Sequence, residues 1–88
     1  MTEIIRSASA GTMESSDVYV EIEPGNGGIQ LQLESVVAQQ FGDSIRAVVR
    51  EVLAEQGVEN ANVRIVDRGA LECVIRARVE TAILRGKE

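Results

Sequence analysis

Two short runs of alternating apolar and polar residues, separated by a glycine-rich segment, set the strongest limit on how this chain can fold. They cover residues 17–23 (DVYVEIE) and 29–33 (IQLQL), and the segment between them reads PGNGG. Successive side chains of a strand point to opposite sides of a sheet, so each run predicts a strand with one buried face. The inward residues are Val18, Val20 and Ile22 in the first run and Ile29, Leu31 and Leu33 in the second. Gly and Asn favour tight turns, which predicts an antiparallel hairpin.

Two longer segments carry apolar residues at helical spacing. The first covers about residues 36–56, with Ser35 as its predicted N-cap and Gly57 as the left-handed residue after its end. The second runs from the Asp67-Arg68-Gly69 turn to about Leu84. The predicted inward residues are Val37, Phe41, Ile45, Val48, Val49, Val52 and Leu53 in the first helix, and Leu71, Val74, Ile75, Val79, Ala82 and Ile83 in the second. Between the helices, residues 62–66 (NVRIV) predict a third strand with Val63 and Ile65 inward.

The predicted fold class is therefore α+β, in the order β-β-α-β-α, with a small three-stranded sheet covered by two helices. If the second and third strands are parallel neighbours, the crossover through the first helix is right-handed. Residues 1–16 are rich in small and hydroxyl side chains without a sustained period, which predicts a mobile arm or a loosely held extended segment. A chain of 88 residues suffices for one domain, so residues 1–88 are expected to form a single unit.

Charge and composition exclude several classes of function. The net charge of −5 argues against binding to nucleic acid and to anionic membrane surfaces, since both need clustered Lys and Arg. No apolar run is long enough to span a bilayer, the first twenty residues lack the apolar stretch of a signal peptide, and one Cys cannot form an internal disulfide. These features predict a cytoplasmic protein. The absence of His removes the commonest general base and most zinc sites, which favours a protein that serves the active sites of others.

Residues 11–18 (GTMESSDV) are the first candidate for a functional site. Two adjacent hydroxyls, Ser15 and Ser16, lie between Glu14 and Asp17 in a segment without a packing period. Such a serine is accessible to a modifying enzyme, and a covalent anchor requires that access. Composition alone favours a solvated lead-in to the first strand.

Three separated runs resemble the citrate lyase gamma chain, which is the acyl carrier protein of that enzyme. They are residues 11–18 (GTMESSDV), residues 39–43 (QQFGD), and residues 67–74 (DRGALECV) continuing into Arg76-Ala77-Arg78. In that family a serine of the first run carries 2'-(5''-triphosphoribosyl)-3'-dephospho-coenzyme A through a phosphodiester. The matching residue here is Ser15. Two departures, Met13 where Leu is more frequent and Arg68 where Lys is familiar, keep the apolar bulk and the charge.

The resemblance implies a non-catalytic carrier subunit. In the family, the alpha subunit exchanges an acetyl group on the arm for citrate, and the beta subunit cleaves the citryl thioester to oxaloacetate and regenerates the acetyl carrier. A prosthetic-group transferase attaches the arm to the serine. Two alternatives stay open: the acyl carrier of malonate decarboxylase, which uses the same type of group, and a small non-covalent adaptor domain.

Other residues compete with Ser15 or accompany it. Ser44, in the run Gly42-Asp43-Ser44-Ile45, resembles the Asp-Ser-Leu anchor of ordinary four-helix acyl carriers, but its place inside a helical stripe favours an exposed helical serine. Cys73 is predicted in or near the core, since most free cysteines are packing residues. The pair Glu21 and Glu23 is predicted as a solvated strand face. The PGNGG segment leads into no helix and so lacks the context of a phosphate-binding loop.

Five arginines cluster in the last third of the chain. They are Arg64, Arg68, Arg76, Arg78 and Arg85. Their planar guanidinium groups suit phosphate geometry, so they are candidates to contact the phosphates of the arm or an acidic partner. Most of them are otherwise expected to be solvated surface residues.

Overall fold

The computed structural model describes residues 1–88 and has four strands and two helices. The strands are β1 (Ala8–Gly11), β2 (Val18–Pro24), β3 (Ile29–Ser35) and β4 (Ala61–Asp67), and the helices are α1 (Ala38–Glu55) and α2 (Glu72–Gly86). The predicted α+β class with two helices is confirmed. The sheet has four strands instead of the predicted three, because residues before the first alternating run also pair with it.

The additional strand, β1, lies in the segment that was predicted as a mobile or extended arm. It pairs antiparallel with β2, with Ala8 opposite Ile22 and Gly11 opposite Tyr19. Upstream, Ile4 is only 4% exposed, and Ile5 donates its N–H to the Gly86 carbonyl at 2.9 Å. The extended alternative therefore describes residues 8–11. No sequence signal marks this strand, because its small residues have weak β-propensity and no alternation of size.

The order of the sheet is β1-β2-β4-β3, so the predicted hairpin between β2 and β3 is wrong. β4 lies between them, antiparallel to β2 and parallel to β3, and Ala61 faces both Pro24 and Ile29. The glycine-rich segment crosses over the start of β4. A Cβ atom on Gly25 would lie 3.0 Å from the Ala61 backbone, so this close crossing favours glycine. The glycine-rich segment thus spans about two strand spacings, roughly 10 Å, between the end of β2 and the start of β3.

Both helices pack on one face of the sheet and enclose the core. The buried residues include Val18, Val20 and Ile22 of β2, Ile45, Val49, Val52 and Leu53 of α1, Val63 and Ile65 of β4, and Ile75, Val79, Ala82 and Ile83 of α2. Two predicted inward residues are exposed, Phe41 to 53% and Leu71 to 71%. They lie in the first turn of α1 and at the N-cap of α2, where they line an open groove that no third element covers.

The beginning of α1 differs from the prediction. Val37 occupies the N-cap without a capping side chain, and Ser35 belongs to β3. The Ser35 hydroxyl accepts a hydrogen bond from the Val37 N–H at 3.1 Å and donates one to Asp67 at 2.8 Å. Gly57 has φ 76°, as the predicted left-handed residue after the helix. Neither helix has the length and apolar composition needed to cross a membrane.

The second face of the sheet is polar. Glu21 accepts hydrogen bonds from the Tyr19 hydroxyl at 2.8 Å and from Arg64 at 3.3 Å. Glu23, also on this face, is exposed. The carboxylate pair on β2 thus belongs to a polar, hydrogen-bonded surface, as predicted.

Candidate functional site

The turn between β1 and β2 places Ser15 at an exposed corner of the molecule. The Asp17 N–H donates to the Glu14 carbonyl at 3.1 Å, which closes a four-residue turn around Ser15 and Ser16. Ser16, the second of the two central residues, has φ 66°, as the third position of a type II turn requires. The Ser15 side chain is exposed, and its Oγ takes part in none of the side-chain hydrogen bonds of the protein.

Asp17 anchors the second end of this turn. Its carboxylate accepts a hydrogen bond from the Thr12 hydroxyl at 2.7 Å and from the Val18 N–H at 2.7 Å. Arg78 of α2 binds both carboxylate oxygens, with Nε 3.1 Å from Oδ1 and Nη2 2.9 Å from Oδ2. This two-point contact fixes the turn on the helix, because the guanidinium plane matches the carboxylate.

The hydrogen bonds from Thr12, Arg78 and Val18 lower the pKa of Asp17 from its ordinary 3.8 to about 2. We therefore expect a carbon-detected NMR titration of the Asp17 carboxyl to give a midpoint near 2. The folded-state pKa lies below the unfolded value, so ionised Asp17 stabilises the fold above about pH 4, and this contribution is lost as the pH falls from 3.8 to about 2. The difference in Tm between wild type and Asp17→Asn should be constant above pH 5 and shrink below pH 4.

Asp43→Asn is the matched control for this prediction. Asp43 is a fully exposed acid of α1 whose only partner is the neighbouring Arg46. Surface pairs of this kind contribute little to stability, so this variant should follow wild type across the whole pH range. An Asp17 midpoint close to 3.8 would show that the anchor described above does not form in solution.

Arg68 ties the same turn to the loop between β4 and α2. Its carbonyl accepts the Ser16 N–H at 2.8 Å, and its own N–H donates to the Asp17 carbonyl at 2.9 Å. These two bonds bring residues 11–18 and 67–71 side by side. The first and third runs that carried the family resemblance therefore form one surface around Ser15.

Gly11 closes the first end of the turn. Its φ is 88°, and a Cβ atom there would lie 1.9 Å from the Val18 carbonyl oxygen and 3.2 Å from Cδ of Arg78. The chain can leave β1 in this direction only with glycine, since a side chain would overlap the first residue of β2. The structure thus accounts for the residue types at Gly11 and Asp17, whereas the Ser15 side chain between them is exposed and makes no hydrogen bond.

Asp67 supports this region from inside and was recognised in the sequence only as part of a turn. Its side chain is 1% exposed and accepts hydrogen bonds from the Ser35 hydroxyl at 2.8 Å and the Ala70 N–H at 3.0 Å. The second bond shapes the loop that carries Arg68. An Asp shortly before a Gly is the typical signal for such a side-chain-stabilised turn.

Most of the five arginines are already engaged. Arg78 binds Asp17, Arg64 binds Glu21, and Arg85 donates to the Ser9 carbonyl at 2.8 Å. Hydrogen bonds to Glu51 and Glu72 raise the pKa of Arg76 above its ordinary value, and Arg76 also pairs with Glu55. Arg68 is exposed, and its guanidinium has no hydrogen-bond or ion-pair partner in the protein.

Ser44 and Cys73 lie away from this turn. Ser44 is exposed within α1, six residues after its start, where an anchor of the four-helix carriers would stand at a helix start. It borders the groove lined by Phe41 and Leu71. Cys73 is exposed in the first turn of α2, so the prediction of a core position is wrong. Its neighbour Val74 is half-buried and packs against the core in its place.

Comparison with known proteins gives a family for the chain. A family model described as malonate decarboxylase delta subunit (MdcD) matches residues 5–86. The chain is 60% identical over 87 residues to the citrate lyase acyl carrier protein of Escherichia fergusonii, covering 98% of this chain and 90% of that protein. It is 58% identical to citrate lyase acyl carrier protein 2 of Salmonella typhimurium with the same coverage. The corresponding protein of Vibrio cholerae is 56% identical over 94% of this chain and 86% of its own length.

A solved structure has the same fold. It is a chain in the crystal structure of a Pseudomonas malonate decarboxylase hetero-tetramer in complex with malonate. The two chains superpose with a TM-score of 0.82, covering 96% of this chain and 87% of the other. Their sequences are 24% identical, so this likeness concerns the fold.

Proposed function

The chain belongs to the family of the citrate lyase acyl carrier proteins and the malonate decarboxylase delta subunit, and from that premise we propose that it is the carrier subunit of a citrate lyase, loaded on Ser15. Residues 1–88 act as one carrier domain. The observation that carries the site assignment is the exposed Ser15 hydroxyl, free of internal hydrogen bonds, on a turn whose two ends are anchored by Gly11 and Asp17.

The choice of citrate lyase over malonate decarboxylase is supported by the degree of identity. The citrate lyase carriers are 56–60% identical over nearly the whole chain, whereas the Pseudomonas malonate decarboxylase chain is 24% identical. The non-covalent adaptor alternative has no comparable support, because these relatives match nearly the entire chain and are named acyl carrier proteins.

The residues at the turn fit a covalently attached group of the coenzyme A type. Attachment by a phosphodiester needs an accessible hydroxyl, which Ser15 supplies, and tolerance for a negative charge, which the neighbouring guanidinium of Arg68 favours. Formation of the Ser15 phosphodiester would release pyrophosphate from the 2'-(5''-triphosphoribosyl)-3'-dephospho-coenzyme A donor, and the attached group would supply a thiol that carries the acyl group. The fold contributes a rigid base, since the turn is fixed to α2 through Asp17 and Arg78.

The carrier has no catalytic residues of its own in this proposal. It presents the acetyl thioester to an alpha subunit, which would exchange the acetyl group for a citryl group and release acetate. It then presents the citryl thioester to a beta subunit, which would release oxaloacetate and leave an acetyl group on the arm. A dedicated transferase attaches the arm. Tethering raises the local concentration of the acyl group at each active site. The free, exposed thiol of Cys73 is typical of a reducing compartment, so we place the complex in the cytoplasm.

Mass spectrometry of the protein purified from its own host tests this function. We expect one adduct with the mass of the extended dephospho-coenzyme A group, and peptide mapping should place it on the fragment that contains Ser15. The complex should cleave citrate and leave malonate unchanged. An active complex whose chain stays unmodified would contradict the carrier function, and an adduct on a complex that decarboxylates malonate would favour the alternative.

A further inference from the structure

The arginines near the turn that carries Ser15 differ in whether their guanidinium groups already have partners in the protein. Arg78 is bound to Asp17 and Arg85 to the Ser9 carbonyl, so neither is free to meet a new ligand without breaking a contact of the fold. Arg68 has an exposed side chain with no partner, although its backbone is fixed by two hydrogen bonds to the turn. A guanidinium held in place at its root and unpaired at its tip is available to an external anion.

The position of Arg68 brings that tip within reach of Ser15. The Arg68 carbonyl accepts a hydrogen bond from the N–H of Ser16, the residue that follows Ser15. Backbones joined in this way lie about 5 Å apart, and the next Cα is a further ~3.8 Å away. The Cα atoms of Arg68 and Ser15 are therefore about 9 Å apart or less. An arginine side chain and a phosphorylated serine side chain can together span that distance.

The local charge favours a contact between Arg68 and a phosphodiester on Ser15. The chain carries a net charge of −5, and Glu14, next to Ser15, has no ion-pair partner. A phosphodiester on Ser15 adds one more negative charge to this surface. Asp17 is already neutralised by Arg78, so Arg68 is the cation left at the turn to offset the added charge.

We propose that the Arg68 guanidinium binds the phosphodiester oxygens of the group attached to Ser15 and so fixes the root of the arm against the loop between β4 and α2. The inference rests on the proposed loading of Ser15. It goes further by giving the chain a phosphate-binding residue, with a backbone already positioned before loading.

The test uses loaded and unloaded protein from the native host, with Arg68→Gln and Arg68→Lys variants. Arg50→Gln is the matched control, because Arg50 is an exposed arginine of α1 without a side-chain partner. In wild type, loading should shift the Nε resonance of Arg68 and leave that of Arg50 unchanged. The phosphorus resonance of the phosphodiester should move in Arg68→Gln and stay close to wild type in Arg68→Lys and in Arg50→Gln.

A second readout follows the fraction of newly made chains that carry the adduct. Loss of a charge-assisted hydrogen bond should slow loading of Arg68→Gln about tenfold, with a smaller effect for Arg68→Lys and none for Arg50→Gln. All variants should keep a Tm close to that of wild type, since the Arg68 and Arg50 side chains are exposed and make no hydrogen bond or ion pair.

The outcomes separate this inference from the proposed function. An Arg68 resonance that does not respond to loading overturns the phosphate contact while the carrier function stands. Normal loading of Arg68→Gln with unchanged phosphorus spectra, but failed assembly with the other subunits, would instead make Arg68 a contact for an acidic protein surface. A wild-type chain that is never loaded overturns both proposals.

Discussion

Ser15→Ala chains should leave the native host with no adduct at all, even when the transferase is present in excess. Alanine has no hydroxyl that could form the phosphodiester, so loading should fall below detection in intact-mass spectra. The fold should be unaffected, because the replaced side chain is exposed and makes no internal hydrogen bond. Surface changes of this kind usually alter the free energy of unfolding by less than about 0.5 kcal/mol.

Ser16→Gly is the matched control for this result. It removes the neighbouring hydroxyl but suits the left-handed backbone at φ 66°, so the turn should be kept and even slightly stabilised. These chains should be loaded like wild type, and so should Ser44→Ala. An adduct that survives Ser15→Ala and disappears from one of the other two variants would move the attachment site to that residue.

Gly11→Ala should strongly destabilise the fold. The left-handed backbone costs an alanine about 1–2 kcal/mol, and the added Cβ would overlap the Val18 carbonyl oxygen at 1.9 Å. Relieving that overlap requires the end of β1 to move away from β2. We expect a loss of at least about 3 kcal/mol, against a total stability of roughly 4–13 kcal/mol for a domain of this size.

Chemical denaturation followed by circular dichroism measures this loss. Gly27→Ala is the control, because its φ is not left-handed and an added Cβ there has no neighbouring atom within 4 Å. The control should unfold within about 0.5 kcal/mol of wild type. Equal stability of the two variants would mean that the turn tolerates a different path from β1 to β2. The displaced turn of Gly11→Ala should also be loaded poorly at temperatures where the chain is still folded.

The helices and the core could be predicted because the spacing of apolar residues encodes them directly. The buried faces of α1, α2, β2 and β4 follow the predicted positions, from Val18 to Ile83. Cys73, which was predicted in or near the core because free cysteines are usually buried, is exposed. Phe41 and Leu71, which the apolar spacing placed inward, are exposed as well, and both lie at helix starts. At a helix start the periodic pattern still counts a residue as inward, although no element lies opposite to bury it.

The order of the strands was not encoded in the pattern. Alternation shows that β2 and β3 each have one buried face, and it is the same whether they pair with each other or with β4. The glycine-rich segment fits a tight hairpin by composition. The strand pairing shows that it instead crosses a third strand, with Gly25 close to Ala61. β1 was not predicted, because its four residues, Ala, Ser, Ala and Gly, show almost no pattern typical of a strand.

The candidate site was found through the family resemblance, whereas its construction had to come from the structure. Asp17 and Arg78 are 61 positions apart, and no local spacing relates them. The same holds for Ser35 and Asp67, which are 32 positions apart. Long-range pairs of this kind depend on the sheet order, so they could not be predicted before that order was known.

The central place of β4 has a consequence for when the carrier can be made functional. A ribosome produces β1, β2, β3 and α1 first, yet β2 and β3 gain their shared partner only once residues 61–67 have been synthesised. The contacts that shape the Ser15 turn, from Arg68 and Arg78, come later still. A transferase that recognises the native turn would therefore not act on nascent or partly folded chains. The prosthetic group would be attached only to molecules that have completed folding.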